Sequence, residues 1–136
     1  MPLAPKNPGT GKSPKYLEAQ LAGRRRARRR GRVGEWLAAL FLRCKGYRII
    51  ERNFRCKRGE IDIVARTGDL VVFVEVKARL ETAQAIDAVT GLAQRRIADA
   101  AQIWIGRQKA ASRLSWRFDI VAISPGRWPR HFKDAF

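Results

Sequence analysis

The stretch "GEIDIVARTGDLVVFVEVKAR", residues 59–79, places Glu60, Asp62, Glu75 and Lys77 in a run rich in valine and isoleucine. Such a run reads as sheet, and side chains on a strand alternate between its two faces. Glu60 and Asp62 therefore share a face of one strand. Val71, Phe73, Glu75 and Lys77 share a face of the next. If Gly68 and Asp69 form a two-residue turn, Asp62 stands opposite Glu75 and Glu60 opposite Lys77. A four-residue loop over 67–70 gives the same register, whereas a three-residue loop would separate the two acids. Facing carboxylates cost a few tenths to ~1 kcal/mol when exposed, and more when buried. A shared proton or a bound cation offsets that cost. Carboxylate oxygens are hard ligands suited to Mg²⁺ or Mn²⁺. Lys77 lies one strand repeat beyond Glu75, about 6–7 Å along the same face. A metal, two carboxylates and a lysine can hydrolyse a phosphodiester: the metal acidifies water, and the lysine orients it or stabilises developing charge. Two other arrangements fit the same spacing. One is a cross-strand Glu60–Lys77 ion pair with Asp62 and Glu75 facing water. The other is an acid/base dyad.

The flanking elements follow from periodicity. "GEWLAALFLRCKGY" reads as a helix, with Leu37, Leu40, Phe41 and Cys44 on one face and Gly46 as its stop. Its opposite face, with Glu35, Ala38, Ala39 and Leu42, is not polar, so the helix is expected to be covered on most sides. "YRIIERNFR" (47–55) is a first strand, and residues 86–108 are mainly helix, with Gln94, Ile97, Ala98, Ala101 and Ile105 sharing a face. "WRFDIVAIS" (116–124) is a further strand, on which Arg117 and Asp119 are expected to form a structural ion pair. A strand reached through a helix after a hairpin implies a parallel crossover. The expected class is α/β: an αβββαβ mixed sheet flanked by helices.

The chain of 136 residues carries 29 Lys and Arg against 12 Asp and Glu, a net of +17. Residues 1–33 hold ten of the basic residues and one acid, leaving +9 there and +8 in the remainder. A field of that sign throughout favours polyanions. "MPLAPKNPGTGKSPK" has almost no core formers, and "AGRRRARRRGR" (22–32) is a basic block. Residues 1–32 are therefore expected to be a disordered basic arm, 33–126 the domain, and 127–136 a C-terminal tail. Arg24, Arg25, Arg26, Arg28, Arg29 and Arg30 are candidate phosphate contacts. Trp36 and Trp104 are expected in the core, and Trp128 is the tryptophan most open to contact with bases. The tail's His131 is assigned no catalytic role. Cys44 and Cys56, with a single histidine, cannot build a zinc finger and are expected to be free thiols. No apolar run approaches a membrane span, and the expected compartment is the cytoplasm.

"GEIDIVA" followed by "VVFVEVKAR" resembles the PD-(D/E)XK nuclease superfamily. More narrowly, it resembles the Holliday-junction-resolvase-like branch and its YraN-type bacterial proteins, which share a restriction-endonuclease-like fold. The resemblance runs from about Gly34 to Ile123. It puts the signature on Asp62, Glu75 and Lys77, and implies Glu35 as a further metal-site acid on the first helix. The family's Lys-Gln-x-Arg patch reads Ala93-Gln94-Arg95-Arg96 here, so Gln94 is kept and the lysine is not. Arg79, Arg95 and Arg96 join Gln94 as candidate phosphate contacts. The motif's proline is replaced by Ile61. The expected function is a Mg²⁺- or Mn²⁺-dependent endonuclease acting on DNA, branched or damaged, with RNA not excluded and a homodimer favoured for a symmetric junction. The alternative is a nucleic-acid-binding module that keeps the fold without turnover. A protein that binds anionic membranes is a third reading, resting on the arm alone.

Overall fold

Residues 59–78 fold as two antiparallel strands, β2 (Gly59–Thr67) and β3 (Leu70–Ala78). The structure, a computed structural model, describes residues 14–78 and 91–136. Gly68 has φ +55° and Asp69 stays out of the left-handed region, the pattern of a II′ hairpin turn, where only the first central residue needs glycine. Thr67 pairs with Leu70 and Ile63 with Val74, which is the expected register.

β1 (Arg48–Cys56) pairs antiparallel with β2 across the turn Lys57-Arg58. β4 (Ser115–Ile123) runs parallel to β3, as the crossover rule requires. A further strand, β5 (Arg130–Phe132), pairs antiparallel with β4. Among the described residues the order is β1-β2-β3-β4-β5 in one mixed sheet. Helix α1 (Pro14–Cys44) covers one face and helix α2 (Gly91–Gly106) the other. This is the expected restriction-endonuclease-like α/β architecture, with one strand more.

Each face has its own core. Phe54, Ile61, Val64, Val71, Phe73 and Ile120 pack with Ile97, Ala100, Ala101, Trp104 and Ile105 of α2. Ile63, Ala65, Val72, Val74 and Val121 pack with Ala38, Ala39 and Leu42 of α1. The buried face of α2 thus runs through Ala100 and Trp104 rather than through Gln94 and Ala98, which are half-buried. The expected helical residues 86–90 lie outside the described residues.

α1 departs from expectation in two ways. It begins at Pro14, so residues 14–32, expected as disordered arm, have helical backbone. Alanine, leucine, glutamine and arginine are strong helix formers, and the only proline of this segment stands at the first position, where it is tolerated. Residues 1–13 lie outside the described residues. Second, α1 lies on the sheet through its small residues Ala38 and Ala39 with Leu42. Val33, Trp36, Leu37 and Leu40 therefore stay exposed, Trp36 at 56%. The alanines let the helix approach closely and turn the bulkier stripe outward, so Trp36 is not a core residue. The helix ends as expected: Gly46 has φ +93°, and Tyr47 N–H and Gly46 N–H donate to the carbonyls of Leu42 and Arg43, a Schellman closure.

Residues 127–136 are not a tail. Asp119, fully buried on β4, accepts from Arg117 Nε and Nη2 at 2.7 and 2.8 Å and from the backbone N–H of Asp134 at 2.9 Å. His131 Nε2 lies 2.5 Å from Asp119 Oδ2. Lys45 Nζ, which can only donate, stands 2.7 Å from His131 Nδ1, so the ring carries its proton on Nε2 and donates to Asp119. Burial pushes Asp119 up, but the bonds from His131, Arg117 and Asp134 outweigh it and hold the carboxyl at about 2. The bond to Asp119 in turn raises Arg117. The expected Arg117–Asp119 pair is present, and it belongs to a clamp that fastens the C-terminus. Phe136 stacks on Phe118. Both cysteines are free.

Candidate active site

The paired ladder of β2 and β3 stops at Ile63 and Val74. Just beyond it, Asp62 Oδ2 accepts the Val76 backbone N–H at 2.9 Å. A side chain thus takes the place of a rung, and the strands part with Asp62 and Glu75 between them. The two carboxyls line one cavity of about 530 Å³ with Glu60. Arg55, Lys57, Arg58 and Arg96 supply its cations.

Burial is the main reason Asp62 is pushed up, to about 7; the facing Glu75 charge and a side-chain hydrogen bond with Glu75 add to it, against the Val76 N–H. Glu75 Oε1 also meets Lys77 Nζ at 3.2 Å, both side chains being largely buried. Glu60 pairs instead with Arg55 of β1, at 3.2 Å. The alternative arrangement, a cross-strand Glu60–Lys77 ion pair, is not formed, and each residue has another partner. Arg55 stands directly across from Glu60 in the β1–β2 ladder, while the parting of β2 and β3 removes Lys77 from reach.

Glu35 reaches the acids from α1. Burial raises it above its ordinary value, and the charges of Asp62 and Glu60 raise it further; a hydrogen bond from Asn53 and the charge of Arg52 act in the opposite sense. Three elements, α1, β2 and β3, thus bring Glu35, Asp62, Glu75 and Lys77 together.

The remaining candidates divide. Arg96 lines the cavity. Gln94 and Arg95 lie on the first turns of the same helix, Gln94 half-buried and Arg95 exposed. Arg79 lies outside the described residues. Arg24, Arg25, Arg26, Arg28, Arg29 and Arg30 fall on α1, where the described structure extends to their backbone and not to their side chains. Trp128 is 87% exposed in the β4–β5 connection, away from the cavity lining. Lys57, Arg58 and Asn53 were not singled out in the sequence. The first two had a signal, since "KRG" is the turn that leads into Glu60 and must sit at its end of the sheet.

Gly59 fixes the far wall. A Cβ there would overlap the Arg96 carbonyl oxygen. Only glycine lets α2 come this close to β2, and that approach carries Arg96 to the acids.

Among the described residues, no three acidic, histidine or cysteine donors close around a point as a ready metal cage. The donor chemistry fits a divalent cation all the same. Asp62 and Glu75 line one cavity where the strands part, and both offer the hard oxygens that Mg²⁺ or Mn²⁺ prefers. Mg²⁺ sites commonly use one or two carboxylates and leave other positions to water and phosphate.

A sequence profile of the uncharacterised protein family UPF0102 matches residues 34–123. The chain is 60% identical over 113 residues to a UPF0102 protein of Rhizobium johnstonii, covering 83% of this chain and 93% of the relative. A UPF0102 protein of Mesorhizobium japonicum is 55% identical over 119 residues, covering 88% of this chain and 95% of its own length. One of Chelativorans sp. is 53% identical with the same two coverages, 88% and 95%. No helix among the described residues is long and apolar enough to cross a membrane.

Proposed function

The chain belongs to the uncharacterised protein family UPF0102, and from that footing we propose that it is a Mg²⁺- or Mn²⁺-dependent endonuclease that hydrolyses phosphodiester bonds in DNA. One observation carries the reading: Asp62 and Glu75 face each other where β2 and β3 part, with Lys77 on Glu75 and Arg96, Lys57 and Arg58 around the same cavity. Asp62 and Glu75 would hold the metal, and Glu35 would assist from α1. The ion, when bound, supplies a Lewis acid for the phosphate and acidifies water. Lys77, which pairs with Glu75 in this structure, would orient the attacking water or donate to a phosphate oxygen. Lys57, Arg58 and Arg96 hold the flanking backbone, which carries the charge they match. Asp62 must lose its proton to bind metal, so the neutral-to-alkaline range favours the loaded state. A two-fold dimer is part of the proposal where the substrate is a symmetric junction.

The test is cleavage of a labelled DNA panel, including a four-way junction, with Mg²⁺ or Mn²⁺. Wild type runs beside Lys77→Ala and Asp62→Asn. Cutting by wild type alone is expected. No cutting by any of the three, with tight metal-independent binding, would replace the nuclease by a binding module on the same fold. Equal cutting by all three would mean that these residues do not do the chemistry.

A further inference from the structure

Asn53 lies in the middle of β1 with φ +55°, in the left-handed region that L-residues avoid and asparagine tolerates best. Its neighbours fix its place. Arg52 pairs with Ile63 and Phe54 with Ile61, so Asn53 stands directly across the ladder from Asp62. The alternation of faces breaks at this point: Ile61 packs toward α2, Ile63 toward α1. The Asn53 side chain reaches Glu35, which comes from a different element, and favours its charged form. A left-handed residue in a strand interior serves no turn here, and its side chain is spent on an acid of the site. Strained backbone of this kind gathers at functional sites because the surroundings must hold it.

We propose that Asn53 is a positioning residue: its amide, aimed by the left-handed backbone of β1, holds the Glu35 carboxyl toward Asp62 and Glu75. α1 is thereby tied to the acid pair at the point where the charges of Asp62 and Glu60 would otherwise drive Glu35 away. The inference rests on the metal-binding reading of this site for its consequence, but the tie itself does not depend on metal.

The experiment titrates Mn²⁺ into the full chain by calorimetry at pH 8, for wild type, Asn53→Gly, Glu35→Ala and the double variant. Glycine keeps the left-handed backbone and removes only the amide, so Asn53→Gly is expected to fold as wild type does, with a thermal midpoint lowered only by the loss of the tie. Its Mn²⁺ Kd is expected to rise on the order of 10-fold, as when a partner that orients a metal ligand is removed. Glu35→Ala should weaken Mn²⁺ binding to a similar degree, and the double variant should bind no more weakly than either single. Wild-type Mn²⁺ affinity in Asn53→Gly, or losses that multiply in the double variant, would overturn the proposal. If wild type binds no Mn²⁺ at all, the metal reading falls and the same four proteins decide by unfolding midpoint in EDTA. Non-additive shifts for Asn53→Gly and Glu35→Ala would support the tie, and additive shifts would overturn it.

Discussion

Asp62 is the residue on which the most depends. Its folded value, about 7, lies above the ordinary 3.8, so the native state holds the proton more tightly than the unfolded chain does. The protonated form therefore stabilises the fold fully below about pH 4, and that contribution is lost as pH rises through 7. Asp62→Asn removes the titrating group and keeps its shape. In urea unfolding with EDTA, this variant should match wild type near pH 4 and exceed it at pH 8 by about 1–4 kcal/mol. The opposite trend would mean that the carboxylate is stabilised in its charged form. The pairing of Asp62 with Glu75 could be read from the sequence, because a two-residue turn at Gly68-Asp69 and strict alternation determine it. The partner of Glu60 could not. Lys77 and Arg55 are both cations within reach on paper, and only the register of β1 against β2 gives Glu60 to Arg55.

At the scale of elements, the contact of α2 with β2 is the most constrained. With a Cβ overlapping the Arg96 carbonyl oxygen, Gly59→Ala must move either the helix or the strand. Overpacking of this kind costs about 1–3 kcal/mol, measurable by chemical denaturation. Binding of DNA should weaken with it, because Arg96 moves too; an unchanged midpoint would show that α2 shifts freely. β5 depends on Asp119. Its value is lowered to about 2 from an ordinary 3.8, so its contribution is present above pH 4 and lost as pH falls toward 2. Asp119→Ala should cost about 3–5 kcal/mol at pH 7, since Arg117 and the nearly buried His131 lose their shared acceptor. A loss below about 1 kcal/mol, the worth of an ordinary surface pair, would make the clamp incidental. The sequence revealed the Arg117–Asp119 pair, two residues apart on one strand. It did not reveal β5, because "RWPRHFKDAF" has no alternation and its anchor comes from a residue twelve positions earlier than His131.

For the whole molecule, charge decides. The net of +17 is spread over arm and domain, so DNA binding should follow counterion release. Each phosphate neutralised contributes about 0.9 to the slope of log affinity against log salt. Replacing Arg24, Arg25 and Arg26 together by glutamine should lower that slope by up to about 3, with little effect on the unfolding midpoint. An unchanged slope would place those side chains away from the DNA. The order of elements and the two-faced sheet were evident from periodicity, as was the basic character of the chain. The exposed stripe of α1 was not, since alanines and leucines alternate around that helix and periodicity alone could not say which set the sheet prefers. The outer edge of the sheet has a consequence of its own. β1 is an end strand in the sheet order, and a regular edge of free N–H and C=O groups invites another chain to add a strand. Here the register shifts between Ile49 and Glu51, the backbone turns left-handed at Asn53, and Arg48, Glu51, Arg52 and Arg55 stand exposed along the strand. Edge-to-edge aggregation has no flat template to copy, and the irregularity that serves the acids also keeps the sheet from growing.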